Sequence, residues 1–131
     1  MLSLLRIATT LLGALFALQG VAWLVDPARV AEALGMPLLD GVGRSTQIGD
    51  FASFFATAGI TMILGSRPGR ARLLYVPALL FVLAAAGRTL AWALHGAEFA
   101  ATFVVVELAM GGLLVAMAQR ASEGTREQIA R

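Results

Sequence analysis

The chain lacks cysteine, lysine and asparagine altogether, and it contains a single histidine. Without cysteine it has no disulfides, no zinc–thiolate or iron–sulfur sites and no thiol chemistry. All ten basic residues are arginines, which invites a chemical explanation. Lysine and asparagine both use AT-rich codons, however, so we attribute their absence to a GC-rich coding sequence instead.

Charged residues are also scarce: they make up 14% of the sequence, against 59% hydrophobic residues, and the mean hydropathy is +0.82. A soluble domain needs more charge to cover its surface, so these values indicate lipid as the surrounding medium. The net charge of +2 and the pI near 10.4 are basic, but the arginines are spread over helix ends and loops. They form no continuous patch, and we therefore expect no nucleic-acid partner.

Four apolar segments are long enough to cross a bilayer, whose hydrocarbon core of about 30 Å requires about 20 helical residues. They comprise residues 4–25, 47–64, 73–94 and 99–119, and a polar tail of residues 120–131 follows the last one. No room is left for a second domain once these spans are placed. We therefore predict an all-α fold in which residues 1–131 form a single domain, a four-helix transmembrane bundle.

The beginning of the second span depends on polar residues. The apolar stretch from Phe51 to Leu64 alone gives about 21 Å of helix, which is too short to cross the membrane. The helix must therefore continue backwards through Asp50 and Gln47 towards Arg44. This extension carries the carboxylate of Asp50 into the membrane interface or just below it.

The loop between the first two spans contains the signals of a short helix. Asp26 can accept a hydrogen bond as N-cap, and Pro27 suits the first helical position. Residues 28–34 have helical propensity, and Gly35 ends the run. We predict a short interfacial helix in this first outer loop, with Val30 turned towards lipid or the mouth of the bundle.

Arginine is distributed unequally between the two sides of the predicted bundle. On the side of the amino terminus lie Arg6, Arg67, Arg70, Arg72, Arg120, Arg126 and Arg131. The other side holds Arg29 and Arg44. By the positive-inside rule the arginine-rich side is cytoplasmic, and because the number of spans is even we predict both termini in the cytoplasm.

Each predicted span carries a polar or ionisable side chain in the outer half of the bundle. Such groups are costly in hydrocarbon and usually turn inward, to a partner or a water-filled cavity. Trp92 and His95 follow Arg88 on the same helical stripe. The candidate binding residues are Gln19, Asp50, Arg88, Trp92, His95 and Glu107. No catalytic residue and no metal site is predicted.

The third and fourth spans are expected to form a hairpin, because the turn between them, residues 95–98, is very short. This hairpin places Glu107 within reach of an extended Arg88 side chain, so we predict an Arg88–Glu107 ion pair. Asp50 is a second candidate anion for the same guanidinium. A buried ion pair can also serve only to fix the register of two helices, and this structural interpretation stays open.

Aromatic and small residues have simpler interpretations. Trp23, Trp92 and Tyr75 lie near the ends of spans, which is typical of the aromatic belts at membrane interfaces. Gly13 and Gly20 lie on a small-residue face of the first span, where another helix can approach closely. We predict that these residues serve packing and anchoring.

Several short motifs resemble a known family. They are Gly43-Arg44-Ser45-Thr46-Gln47-Ile48-Gly49-Asp50-Phe51 with Phe54-Phe55, Gly87-Arg88, His95-Gly96 and Glu107. Together they resemble a family of uncharacterised bacterial four-helix membrane proteins that is placed near the DoxX-like proteins, and the likeness extends over residues 26–119. Many members carry an arginine where this chain has Asp50. The resemblance implies a four-helix bundle in the bacterial inner membrane, and it implies no particular reaction.

Three functions are compatible with these features. In the first, the polar cluster binds or transports a small molecule or a lipid, with Arg88 anchoring a carboxylate or phosphate; transport would require a homodimer, since four helices enclose only a narrow pathway. In the second, the protein is a structural or accessory subunit of a membrane complex. In the third, it is an intramembrane enzyme on a lipidic substrate, with Glu107, Asp50 or His95 as its base. We favour the first and expect no cofactor.

Overall fold

The computed structural model describes the backbone of residues 2–129 and the side chains of residues 3–122. This part of the chain forms five α-helices and one short 3₁₀ helix, and it contains no strand. The helices are α1 (Leu2–Val25), α2 (Pro27–Ala33), α3 (Gly41–Gly65), α4 (Tyr75–His95, preceded by the 3₁₀ helix Ala71–Leu74) and α5 (Ala101–Ile129). The predicted all-α fold is confirmed.

Four helical segments are long and apolar enough to cross a membrane. They are Ser3–Val25, Gly41–Gly65, Ala71–His95 and Ala101–Ser122. Their outer faces carry large apolar side chains, such as Leu11, Leu15 and Leu18 of α1, each more than 60% exposed. Continuous apolar faces of this kind, on helices that satisfy their own backbone hydrogen bonds, are suited to lipid as solvent. The chain is an integral membrane protein.

The first turn of α3 begins at Gly41, earlier than the predicted span. Arg44 forms an ion pair with Asp40 at 2.6 Å, and its Nε donates to the carbonyl oxygen of Leu39 at 2.8 Å. These contacts hold the start of α3 against the loop before it, because both partners immediately precede the helix. The polar residues at the beginning of α3 are thus helical, as the length of the apolar stretch requires.

The first loop contains the short helix that the sequence predicts. α2 begins after Asp26, whose Oδ1 accepts a hydrogen bond from the backbone N–H of Arg29 at 3.4 Å. It ends before Gly35, which has a φ of +74°, a conformation that glycine adopts without strain. Val30 and Ala31 are buried against residues of α1 and α3. α2 therefore covers one end of the α1–α3 pair, and its position at a membrane interface stays a prediction.

α1 and α3 pack closely through small residues. A Cβ built on Gly59 of α3 would overlap the backbone nitrogen of Ala17 and lie 2.5 Å from the carbonyl oxygen of Gly13. A Cβ on Gly20 would lie 2.9 Å from the backbone nitrogen of Ala56. At these distances the two backbones leave no space for side chains between them. The predicted small-residue packing of the first span is confirmed.

α4 and α5 form an antiparallel hairpin. Gly96, with a φ of +68°, ends α4, and α5 begins at Ala101, two residues after the predicted start of the span. Gly111 of α5 faces α4 so closely that a Cβ there would lie 3.0 Å from Cγ2 of Val82. α5 then continues as a helix through the polar tail to Ile129.

Two hydrophobic clusters divide the interior. The first joins α3, α4 and α5 with flanking side chains from α1, and it includes Met62, Phe81 and Leu114. The second lies around Trp23 and Val30, and its described members all come from α1, α2, α3 and the segment between α2 and α3. At the end of the second cluster the α4–α5 hairpin therefore shares no core with the other helices. This arrangement leaves space between the two helix pairs.

Trp23 is fully buried, and its ring stacks on Phe51 with a centroid distance of 4.8 Å and an interplanar angle of 12°. The predicted belt position is wrong for Trp23, because α2 folds back over the end of α1 and covers the indole. Tyr75 and Trp92 remain 43% and 52% exposed, so they can occupy such a position.

Candidate binding site

The ion pair between Arg88 and Glu107 joins α4 to α5. Nε of Arg88 donates to Oε1 of Glu107 at 2.9 Å, which confirms the pairing predicted from the hairpin. The guanidinium carbon of Arg88 also lies 4.7 Å from the ring centroid of Phe103, within the range of a cation–π interaction. The Arg88 side chain is 35% exposed, whereas that of Glu107 is 11% exposed. The carboxylate is thus the more deeply placed partner.

The second oxygen of this carboxylate has no partner. Oε2 of Glu107 is buried and accepts no hydrogen bond from any of the described residues. An ionised carboxylate can accept about four hydrogen bonds, and leaving a buried acceptor unpaired is costly. Glu107 therefore retains the capacity to bind a hydrogen-bond donor.

A cavity of about 700 Å³ adjoins the ion pair, in the space between the two helix pairs. Its apolar lining residues are Phe16, Leu34, Phe51, Phe54, Phe55, Leu80, Phe81, Leu83, Ala84, Phe103, Val106 and Met110, and its ionisable ones are Asp50, Arg88 and Glu107. Six of the seven phenylalanines of the chain thus line one cavity. The cavity combines an aromatic wall with a small number of polar groups, as small-molecule sites usually do.

Asp50 lines the cavity but does not pair with Arg88. Among residues 3–122 the ion pairs are Arg88–Glu107 and Arg44–Asp40, so the expected second anion of the guanidinium is not realised. Asp50 is exposed and belongs to α3, which lies across the cavity from the α4–α5 hairpin. The separation of the two helix pairs at this end keeps its carboxylate away from Arg88.

Gln19, Trp92 and His95 lie outside the cavity lining. On α1 the residue that enters the cavity is Phe16, while Gln19 is half-buried beside the close contact of Gly20 with α3. Trp92 and His95 follow Arg88 on α4, beyond the cavity, and both are exposed. The structure therefore brings together three of the six candidate residues and separates the other three from them.

No family model, no curated protein and no solved structure matches the chain. The resemblance to the DoxX-like proteins stays a prediction, and the interpretation of the site depends on its own geometry.

Metal binding by a cluster of acidic or histidine side chains has no basis in this geometry. In the part of the chain that the structure describes, no group of three or more such residues is placed to hold a metal ion. The acid–base groups of the cavity are Asp50 and Glu107 alone, since His95 lies elsewhere.

The aromatic wall was not predicted from the sequence, in which the polar residues of the spans are the more conspicuous feature. Phe51, Phe54 and Phe55 follow one another at the spacing of a single helix face, and this pattern could have indicated a shared surface. Phe16, Phe81 and Phe103 carry no such signal, because they lie on three separate helices and converge only through the packing of those helices.

Proposed function

We propose that this membrane protein binds an amphipathic small molecule or a lipid in the cavity between the α1–α3 pair and the α4–α5 hairpin. The observation that carries the proposal is the composition of the cavity wall. Six phenylalanines surround a volume of about 700 Å³, and a polar pair lies at its side. This volume falls within the range of about 300–1,000 Å³ that is usual for small-molecule sites.

The polar groups are expected to decide which molecule is bound. A ligand that arrives from the bilayer is already in an apolar medium, so burying its alkyl chain in the protein adds little hydrophobic free energy. Packing against aromatic rings and pairing with Arg88 or Glu107 then supply the discrimination. An alkyl chain alone cannot pair with Arg88 or Glu107.

Binding is better supported than passage through the bundle. Phe81 belongs both to the cavity wall and to the packed cluster around Met62 and Leu114. The cavity therefore ends on a well-packed core instead of continuing along the helices. An accessory or enzymatic role stays an alternative that no contact in the site specifically favours.

The proposal is tested by filling the cavity. Ala84 lines the cavity and is half-buried, whereas Ala86, two residues further along α4, is exposed and lies outside it. In lipid nanodiscs, the uncharged fluorescent probe N-phenyl-1-naphthylamine should bind the unaltered protein saturably, above the signal of empty discs. Ala84→Trp should abolish this component, because the indole fills the site, and Ala86→Trp should preserve it.

Equal probe binding by all three proteins would show that the cavity is not the site and would overturn the proposal. So would a signal that never exceeds that of empty discs. The thermal unfolding temperature of each variant, measured in the same nanodiscs, separates loss of the site from loss of the fold.

A further inference from the structure

We propose that the ligand of this cavity carries a protonated amine on an apolar chain. This inference depends on the proposed binding function and specifies the chemistry of the ligand. It differs from the sequence-based expectation, in which Arg88 holds an anionic group. Three features of the cavity support it: its charge, its unpaired acceptor and its aromatic surface.

The first argument is charge. The ionisable lining residues are one arginine and two acids, Arg88, Glu107 and Asp50. Arg88 and Glu107 are 2.9 Å apart and largely cancel one another, which leaves the cavity with the formal negative charge of Asp50. An anionic ligand would have to approach Arg88 in the presence of two carboxylates, whereas a cation would neutralise the site. The net charge of the lining therefore favours a cation, to the modest extent expected of an exposed carboxylate.

The second argument is the unpaired carboxylate oxygen. Glu107 lines the cavity, and its Oε2 is enclosed by the protein without a donor from the described residues. When the carboxylate turns so that Oε2 faces the cavity, an N–H group of an amine would donate to it, so the ligand would satisfy a group that the protein leaves unsatisfied. A carboxylate or phosphate ligand could not. An alcohol would supply the hydrogen bond but not the positive charge.

The third argument is the aromatic surface. A cation is attracted to the face of an aromatic ring, and a desolvated site strengthens this attraction. Phe103 already lies 4.7 Å from the guanidinium carbon of Arg88. The other phenylalanines of the lining, which include Phe51 next to Asp50 in sequence and Phe54 one helical turn further on, are available to an ammonium group and its alkyl chain.

Asp50 also provides a polar approach to the site. It lines both this cavity and a second one of about 520 Å³, which is formed by residues between Met36 and Phe51. Asp50 is exposed, so a charged group can reach it before its apolar chain enters between the helices. A positively charged headgroup is attracted to the carboxylate of Asp50, and a negatively charged one is repelled by it.

The proposal is tested with four probes that share a dodecyl chain and differ in the head: dodecylamine, dodecyltrimethylammonium, dodecanol and dodecanoate. Each competes with N-phenyl-1-naphthylamine for the protein in nanodiscs of phosphatidylcholine. We expect dodecylamine to bind at least about tenfold more tightly than dodecanoate, because attraction to the site replaces repulsion. Dodecyltrimethylammonium, which has no N–H donor, and dodecanol, which has no charge, should lie between them.

A matched pair of variants locates the charge. Asp50→Asn should weaken the binding of dodecylamine by about two- to fivefold, the range expected for an exposed carboxylate, and should leave dodecanol unchanged. Glu32→Gln alters the net charge of the protein equally but lies outside the cavity lining, so it should change neither affinity. Both residues are exposed, and the fold should tolerate either substitution.

The proposal of an amine ligand would be overturned if dodecanoate bound as tightly as dodecylamine, or if the two variants had equal effects. The cavity would then remain a binding site for N-phenyl-1-naphthylamine. Failure of that uncharged probe to bind would instead overturn the binding function itself. Nanodiscs that contain phosphatidylethanolamine identify the source of the amine: weaker dodecylamine binding there indicates the lipid headgroup, and unchanged binding indicates a free amphiphilic amine.

Discussion

Gly59 of α3 and Ala17 of α1 are in direct backbone contact: a Cβ on Gly59 would overlap the backbone nitrogen of Ala17. This contact lies within the α1–α3 pair, which carries one wall of the cavity through Phe16, Phe51 and Phe54. The position of that wall therefore depends on a residue that has no side chain at all. A change there should act on both the stability and the site.

Gly59→Ala should destabilise the protein by about 3 kcal/mol, because the clash is with backbone atoms, which cannot move aside as a flexible side chain would. The matched control is Gly49→Ala in the same helix, where a Cβ would meet nothing within 4 Å. That change should leave stability unchanged or raise it by less than about 1 kcal/mol. Reversible unfolding in detergent measures both values. Similar effects of the two substitutions would contradict the close contact of α1 with α3.

The prediction of the helices from sequence succeeded because their length and apolar character depend only on local residues. Spans of about 20 apolar residues have few alternatives in a bilayer. The Asp26–Pro27 start of α2 was equally local. The burial of Trp23 was not, because it depends on α2 folding back over the end of α1, and nothing in the residues around Trp23 indicates that.

Arg88 and Glu107 offer a test of how much the ion pair contributes to the fold. Arg88→Gln leaves the buried carboxylate of Glu107 without its partner, and we expect a loss of about 3 kcal/mol, the lower end for broken buried pairs since Arg88 is partly exposed. The double variant Arg88→Gln/Glu107→Gln should lose less than the sum of the single changes. Thermal unfolding of the four proteins in the same detergent gives the coupling.

The double variant also separates the structural from the functional interpretation of the pair. If it regains stability but no longer prefers dodecylamine to dodecanoate, the pair serves the ligand as well as the helix register. Recovery of stability together with unaltered ligand preference would indicate a purely structural pair. Strictly additive losses would contradict the ion pair itself.

The candidate site was only partly predictable for a similar reason. The Arg88–Glu107 pair follows from one short turn and the helical rise, so the sequence was sufficient to find it. Asp50 and Gln19 belong to the other helix pair, and their distance from Arg88 depends on how far the two pairs separate. That separation arises from the second hydrophobic cluster, which includes Trp23 and no residue of α4 or α5 among its described members.

The two tryptophans should report different environments. Trp23 is fully buried against Phe51, whereas Trp92 is 52% exposed and lies 5.1 Å from Phe99 in ring centroid distance. The Trp92→Phe protein, which retains only Trp23, should resist quenching by aqueous acrylamide and by brominated lipids. The Trp23→Phe protein should be quenched by at least one of them. Because Phe51 also lines the cavity, occupation by dodecylamine should change the Trp23 emission and leave that of Trp92 unaltered. Equal quenching of both proteins would contradict the burial of Trp23.

The predicted orientation can be tested directly, because a chain without cysteine gives no background in thiol labelling. Single cysteines at the exposed positions Ala33 and Ala97 lie at one end of the bundle, and one at the exposed position Pro68 lies in the turn between α3 and α4, at the other. The arginines around Pro68 should hold that turn in the cytoplasm. A membrane-impermeant maleimide should therefore label Ala33→Cys and Ala97→Cys in intact bacterial spheroplasts, and Pro68→Cys only after lysis. The opposite pattern would place both termini outside, and Asp50 would then lie at the cytoplasmic end of the bundle.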